Sequence, residues 1–241
     1  MARLISGDTR GAVYVEFLFA FMPLFLLFLA ICQLSLLVVA RVVVSHAAVN
    51  AARAAVVVLE DDPAEYGNVE RGVLSDGIGS QKGRRMKDIR SAATEPLKIL
   101  APGADALTTP GKDVNSALTP LTLSQALSAD IYNNFAALVT LHDTTTGDTY
   151  AREPVAMDAT VTARVIYYYE CDIPLVRSLV CKSVDTLKSE PSSPLKGMLS
   201  DALRSGSAIN QSLDGRRFYK LIARATLPNQ GAQYLHNGSD G

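Results

Sequence analysis

The run from Phe17 to Ala40 constrains this chain more than any other feature: 24 consecutive residues without a charge, with Gln33 and Ser35 as the only strongly polar members. As a helix at about 1.5 Å per residue the run is about 36 Å long. That length crosses a hydrocarbon core of about 30 Å with some tilt. A buried core helix usually carries a polar face at helical spacing, and this run has none. The apolar part of a secretory signal spans only about 7–15 residues. The run reads as a membrane anchor. A cleaved signal is the competing reading, because Ser45-His46-Ala47 offers small residues to a signal peptidase. Arg3 and Arg10 precede the run while Arg41 and Arg53 follow it, a tie on the positive-inside criterion. The free amino group tips the orientation toward a cytoplasmic N-terminus.

The 241 residues give room for one domain of ordinary size plus this extra segment. With 48% hydrophobic and 20% charged residues the chain is not a disordered polar polymer. Lys plus Arg is 23 against 24 for Asp plus Glu, so no excess of cation argues for nucleic acid. From Val42 to Leu59 the sequence is Ala-rich and free of Gly and Pro. Val43, Ala47, Ala51, Ala54 and Val58 recur at spacings of three and four, one helical face. A single helix of about forty residues is expected to leave the membrane and end at Glu60-Asp61-Asp62-Pro63, since Pro disfavours helix in the residue before it.

Beyond that point the pattern changes. Tyr66 to Arg85 is glycine-rich and reads as a loop. A helix is expected from about Met86 to Leu100, interrupted near Pro96, and Pro102 to Pro120 reads as another loop. Ala136–His142 and Asp158–Tyr169 read as strands, with Thr144–Asp148 as a turn between shorter pieces. In the second strand Val161, Ala163, Val165, Tyr167 and Tyr169 alternate with Thr160, Thr162, Arg164 and Tyr168, with Ile166 as the apolar exception on the polar side. Leu195–Arg204 reads as a short helix. Arg217–Leu227 alternates again, with Tyr219, Leu221, Ala223, Ala225 and Leu227 facing one way. The fold class is α+β: a small antiparallel sheet packed on a long N-terminal helix. Residues 12–59 form that helix and 60–241 the α+β domain.

Catalytic chemistry finds no support. Gly77-Ile78-Gly79-Ser80-Gln81-Lys82-Gly83 misses the spacing of both common phosphate-binding loops and follows no strand. Lys82, Arg84, Arg85, Lys87 and Arg90 form a basic cluster that reads as a solvated helix start. His46, His142 and His236 have no companion ligands, and no serine-hydrolase or zinc-protease motif occurs. Asn210-Gln211-Ser212 and Asn237-Gly238-Ser239 are sequons by spelling and read as loop residues. No enzyme, cofactor or metal site is expected. Cys171 and Cys181 bracket a Pro-containing loop and suit a disulfide, worth about 3 kcal/mol in the chain-entropy model. The alternative is two reduced buried thiols. A disulfide would put this part of the chain outside the cytoplasm. Cys32 reads as an apolar filler within the span.

One constellation at the start of the chain is specific. Arg10-Gly11-Ala12-Val13-Tyr14-Val15-Glu16-Phe17 runs straight into the apolar helix, and places a carboxylate at the mouth of the span. A charge at the bilayer centre costs about 2.5–3.5 kcal/mol, and less near its edge. A basic leader ending in Gly, with Glu at the fifth position after it and an aromatic next, resembles the leader of prepilins. Pro23 in the span and Asn50-Ala51-Ala52-Arg53-Ala54-Ala55 on its extension are similar to the TadE-like family of Flp (Tad) pilus assembly proteins. Cys171 to Cys181 and Leu227-Pro228-Asn229-Gln230-Gly231-Ala232 resemble proteobacterial members. The chain is too short for the von Willebrand-type domain of the related TadG-like proteins.

The resemblance implies a minor pseudopilin with a pilin-like fold, a substrate and structural part rather than a catalyst. Residues 1–11 would be a leader removed after Gly11 by an inner-membrane prepilin peptidase. The new ammonium on Ala12 would pair with Glu16 of the same or a neighbouring chain. Partners would be the peptidase, other pilin-like subunits, the Tad secretion machinery and the membrane, with no nucleic acid. The protein would cross the inner membrane once, N-terminus in the cytoplasm and C-terminal domain in the periplasm, and serve a pilus used for surface adherence. The major Flp pilins are short and typically carry Glu-Tyr where this chain has Glu16-Phe17, which points to a minor component. Two other classes stay open: a membrane-anchored periplasmic sensor or ligand-binding protein that keeps Met1–Gly11, and a secreted hydrolase released after Ala47.

Overall fold

Thr9 to Glu60 form a single helix of 52 residues, α1, and Pro23 is its only proline. At about 1.5 Å per residue α1 is about 78 Å long, far more than any packed layer behind it requires. Pro23 has no N–H to donate, so the Phe19 carbonyl loses its usual partner. Neighbouring helices and waters commonly make good that loss in membrane helices. The computed structural model describes residues 9–74, 83–102, 130, 132–133, 136–143, 159–183, 186–187 and 216–229. Several expectations lie outside them: the leader up to residue 8, the helix at Leu195–Arg204, the turn at Thr144–Asp148, most of the Gly77–Gly83 and Pro102–Pro120 stretches, His236 and both sequons.

The two halves of α1 live in different surroundings. From Tyr14 to Phe28 every side chain is exposed, although nearly all are apolar. From Gln33 onward one side is sealed: Gln33, Leu37, Ala40, Val44, Ala48, Ala52, Ala55 and Leu59 are buried, at the three-and-four spacing of one helical face. The stripe expected from the sequence is a flank of this face. Ala47 and Ala51 are sealed, but Val43 and Ala54 are only half-buried. Alanine has no bulk beyond Cβ, so the Ala-rich face lets both a sheet and a second helix approach the α1 backbone closely.

Among the described residues the sheet has four strands in the order β1-β2-β4-β3, all antiparallel: β1 (Ala137–Asp143), β2 (Thr160–Glu170), β3 (Lys182–Ser183) and β4 (Arg217–Pro228). β2 is central, with Val139 opposite Val165 on one side and Ala223 opposite it on the other. Val161, Ala163, Val165 and Tyr167 are fully buried, as their alternation predicts, and β2 and β4 both pack on α1. Alternation fails at the end of β2, where Ile166 and Tyr168 of the supposed polar face are also buried. Tyr132 meets the same end of the strand from the inward side. Its hydroxyl donates to the Tyr168 carbonyl at 2.8 Å and its ring meets Tyr167 edge-on at 6.3 Å. In β4 the inward set holds for Leu221 and Ala223, with Ala225 and Leu227 half-covered. Tyr219 is 40% exposed instead, although Tyr169, directly opposite it in β2, is buried.

The second helix, α2 (Arg84–Leu97), starts two residues earlier than expected and packs on α1. Pro96 sits in its last turn, after which the chain tightens into a 3₁₀ turn at Lys98–Leu100. The basic cluster at its start is solvated only in part: Arg84 and Lys87 are exposed, but Arg85 is buried and Arg90 half-buried. Arg85, Ile89, Ala93 and Leu97 form one buried stripe at spacings of four. Arg85, only 2% exposed, donates through Nη1 to the carbonyls of Glu70 (2.5 Å) and Val73 (3.0 Å) and through Nη2 to that of Asp61 (3.2 Å). Its guanidinium also lies over the Tyr66 ring, 4.9 Å from the centroid. Arg90 donates to the Ala137 carbonyl at 3.4 Å and so joins α2 to β1. Arg85 thus holds the turn after α1 in place. At that turn α1 ends at Glu60, where expected; Glu60 is buried and accepts from Asn229 Nδ2 at 2.9 Å, linking α1 to the end of β4.

Candidate functional site

The residues that the sequence singles out fall into two groups along α1. Gly11, Ala12 and Glu16 belong to its first turns. With helical backbone from Thr9, Ala12 and Glu16 are four residues apart and their Cα atoms differ by about 6 Å along the axis. That separation is one at which an (i, i+4) pair shares a face. Glu16 is exposed, on a stretch whose neighbours Tyr14, Val15, Phe17 and Leu18 are exposed too. Below it, Phe17, Phe21 and Phe25 stack one above another, with centroids 5.4 and 5.6 Å apart. The carboxylate thus stands one residue before an aromatic ladder on an otherwise bare apolar helix.

The second group sits about 26 Å further along, at Gln33. Cys171 and Cys181 form a disulfide with Cα atoms 6.6 Å apart. The loop that they close contains one helical turn, α3 (Arg177–Val180), and leads into β3. The Cys171 N–H donates to the Arg217 carbonyl at 2.9 Å, and Arg217 Nη1 donates to the Cys181 carbonyl at 3.3 Å, so β4 grips both ends of the staple. The middle reaches α1: the Ile173 N–H donates to Gln33 Oε1 at 3.2 Å. Gln33 is fully buried, inside the run that reads as a membrane span. Ser35, the other polar residue of that run, satisfies its hydroxyl on the Ile31 carbonyl of its own helix at 2.9 Å. Next to the staple, Arg216 Nη1 donates to Glu170 Oε2 at 2.8 Å. Burial pushes the Glu170 carboxyl up, and the Arg216 charge partly offsets this.

Sequence reasoning noted Gln33 as polar but gave it no role, and missed its tie to Ile173 altogether. A lone amide in an uncharged run was the available signal; the partner, 140 residues away, was not. The staple predicts a direct measurement. Non-reduced digests of the protein should yield one peptide linking Cys171 to Cys181, and free alkylation of both without reductant would refute the bond. Among the described residues no group of His, Cys, Asp and Glu could hold a metal ion.

Together, the first turns of α1 present a carboxylate beside a glycine and an exposed apolar helix long enough to cross a membrane. Against known families the match falls on this part of the chain. Residues 11–53 match the TadE family, described as TadE-like protein. This TadE-like segment runs from Gly11 through the bare half of α1 onto the Ala-rich face that packs on the sheet. It includes Glu16 and Gln33; both cysteines of the staple lie outside it. No curated protein and no solved structure matches the chain.

Proposed function

We propose that this chain is a minor pseudopilin that takes part in assembling a Flp/Tad-type pilus used for surface adherence, with a pilin-like C-terminal domain in the periplasm. The observation that carries the reading is the TadE-like match beginning at residue 11, with Glu16 five residues later on a bare apolar helix. A prepilin peptidase of the inner membrane cuts after Gly11. The bond lies in the first turn of α1, where the first four N–H groups have no intrahelical partner and a glycine costs about 1 kcal/mol relative to Ala. Opening that turn for a protease is therefore cheap, and the side chain-free residue fits a tight cleavage pocket.

The cut leaves a new ammonium on Ala12. Near the membrane edge a carboxylate and an ammonium together avoid the cost that either bears alone. When Glu16 takes the Ala12 ammonium of a neighbouring pilin-like subunit, the pair sets the axial stagger as a subunit leaves the bilayer. The disulfide supports an oxidising, extracytoplasmic location for the C-terminal part, which leaves the N-terminus in the cytoplasm. The length of chain beyond α1 favours a minor component that initiates, caps or helps build the pilus, over a bulk fibre subunit. In this role the protein is a substrate and a part, with the Tad secretion machinery as its partner.

The test is the intact mass of the protein from cells with an active prepilin peptidase. The mature chain should begin at Ala12, and Gly11→Val should leave it full length. A reporter that works only after export, fused behind Gly241, should be active. Uncut wild-type protein would refute the processing, and a silent export reporter, with a cytoplasm-only reporter active at the same position, would refute the topology.

A further inference from the structure

We propose that the stapled loop Cys171–Cys181 is a membrane-interface element, with Leu175 and Leu179 seated in the lipid of the outer face of the bilayer that α1 crosses. The proposal rests on reading α1 as a membrane span. A hydrocarbon core of about 30 Å takes about 20 helical residues. With Glu16 kept at the cytoplasmic headgroups, that length ends between Gln33 and Leu36. This level is where the loop is tied to α1, through the Ile173 N–H on Gln33 Oε1. The free side of α1 stays apolar for about a turn past this level, with Leu34, Leu36, Val38 and Val39 exposed before Arg41 as the first exposed charge, so lipid rather than water is the solvent that suits the helix there.

The loop itself has the matching surface. Leu175 is 62% exposed and Leu179 is 78% exposed, beside the exposed Pro174. Leu175 also adopts a left-handed backbone conformation, φ 69°, which glycine or asparagine takes far more easily. A leucine that gains neither packing nor backbone ease at that position is accounted for if its side chain is buried by something else, and lipid at this depth does so. Val176, by contrast, is fully buried and anchors the loop from within. The turn is compact: Arg177 N–H donates to the Ile173 carbonyl at 3.0 Å and Cys181 N–H to the Arg177 carbonyl at 3.0 Å. Leu175 and Leu179 therefore cannot drift far from the Gln33 tether. Arg177 is exposed in the same turn, and its long stem lets the guanidinium reach lipid phosphate while its methylenes stay among apolar groups. Interfacial elements of this kind sit about 5–10 Å into the headgroup and acyl boundary.

The chain contains no Trp, so a single introduced Trp reports its own depth. Full-length protein carrying Leu179→Trp, and separately Leu175→Trp, is reconstituted in phosphatidylcholine and phosphatidylglycerol vesicles whose acyl chains are brominated near the headgroup or near the midplane. Phe25→Trp serves as the reference for the span and Val57→Trp as the reference for water. Both loop variants should emit to the blue of Val57→Trp and lose most emission to the shallow bromines, while Phe25→Trp loses most to the deep ones. Loop variants that emit and resist quenching like Val57→Trp, with Phe25→Trp quenched, would overturn the inference and leave the span intact. If Phe25→Trp also escapes quenching, the membrane reading beneath it falls as well.

Discussion

Glu16→Gln should be cut after Gly11 as efficiently as the wild type and yet fail to support piliation. Gln keeps the shape and removes the charge, so the peptidase still sees a glycine before Ala12, while the ammonium freed by the cut has lost its counter-charge. A lone charge at the bilayer centre costs about 2.5–3.5 kcal/mol, less near the edge where these residues sit. Even about 2 kcal/mol per subunit shifts an assembly equilibrium by about 30-fold. Because a minor component acts where the pilus is started or built, the visible outcome is loss of pili rather than a slight shortening. Glu16→Asp keeps the charge on a shorter stem and should recover part of the activity. Counting pili in sheared fractions, with the N-terminus of the retained protein sequenced alongside, reads both steps. Wild-type piliation and adherence by Glu16→Gln would show that the pairing is dispensable.

Arg85→Ala should destabilise the folded part by about 2–3 kcal/mol, the upper part of the range for leaving acceptors without their donor. The change strips donors from three carbonyls, of Asp61, Glu70 and Val73, in a part-buried turn, and opens a cavity at the head of the Arg85-Ile89-Ala93-Leu97 stripe. Arg85→Lys should recover only part of this, since a single ammonium cannot serve carbonyls that the planar fork reaches from two nitrogens. Arg84→Ala is the control: Arg84 donates to the Glu65 carbonyl at an exposed site and should cost no more than about 0.5 kcal/mol. Thermal unfolding of the detergent-solubilised full-length protein ranks the three. If Arg85→Ala melts with the wild type, the cage contributes nothing to stability.

Arg85 also shows why charge is a poor guide to exposure when read along a chain. Among Lys82, Arg84, Lys87 and Arg90 it looks like one more solvated cation. Its register decides otherwise: four residues before Ile89, it stands on the face that Ala93 and Leu97 bury. That spacing was legible in the sequence. The three carbonyls that make burial affordable were not, because they belong to a turn folded against α2 from the preceding segment. The end of β2 behaves alike. Period-two alternation gave the inward set Val161, Ala163, Val165 and Tyr167, but nothing local to β2 announced that Tyr168 would also be buried, or that its carbonyl would accept from Tyr132, 36 residues upstream.

The sequence by itself determined what depends on near neighbours in the chain. An uncharged apolar run without helix breakers other than Pro23 has to be a long helix, and Glu60-Asp61-Asp62-Pro63 has to end it. Alternation over 160–169 and 217–227 dictates strands, and the glycine, charge and aromatic at positions 11, 16 and 17 mark the TadE-like start. The tertiary structure alone decided where the exposed helix ends and the packed one begins. Gln33 is an awkward polar residue in a span until the Ile173 N–H, 140 residues later, meets its carbonyl. The physical reason is one of range: helix and strand periodicity come from hydrogen bonds and side-chain directions a few residues apart. The burial of a lone amide depends on which distant backbone group the fold brings within 3.2 Å of it.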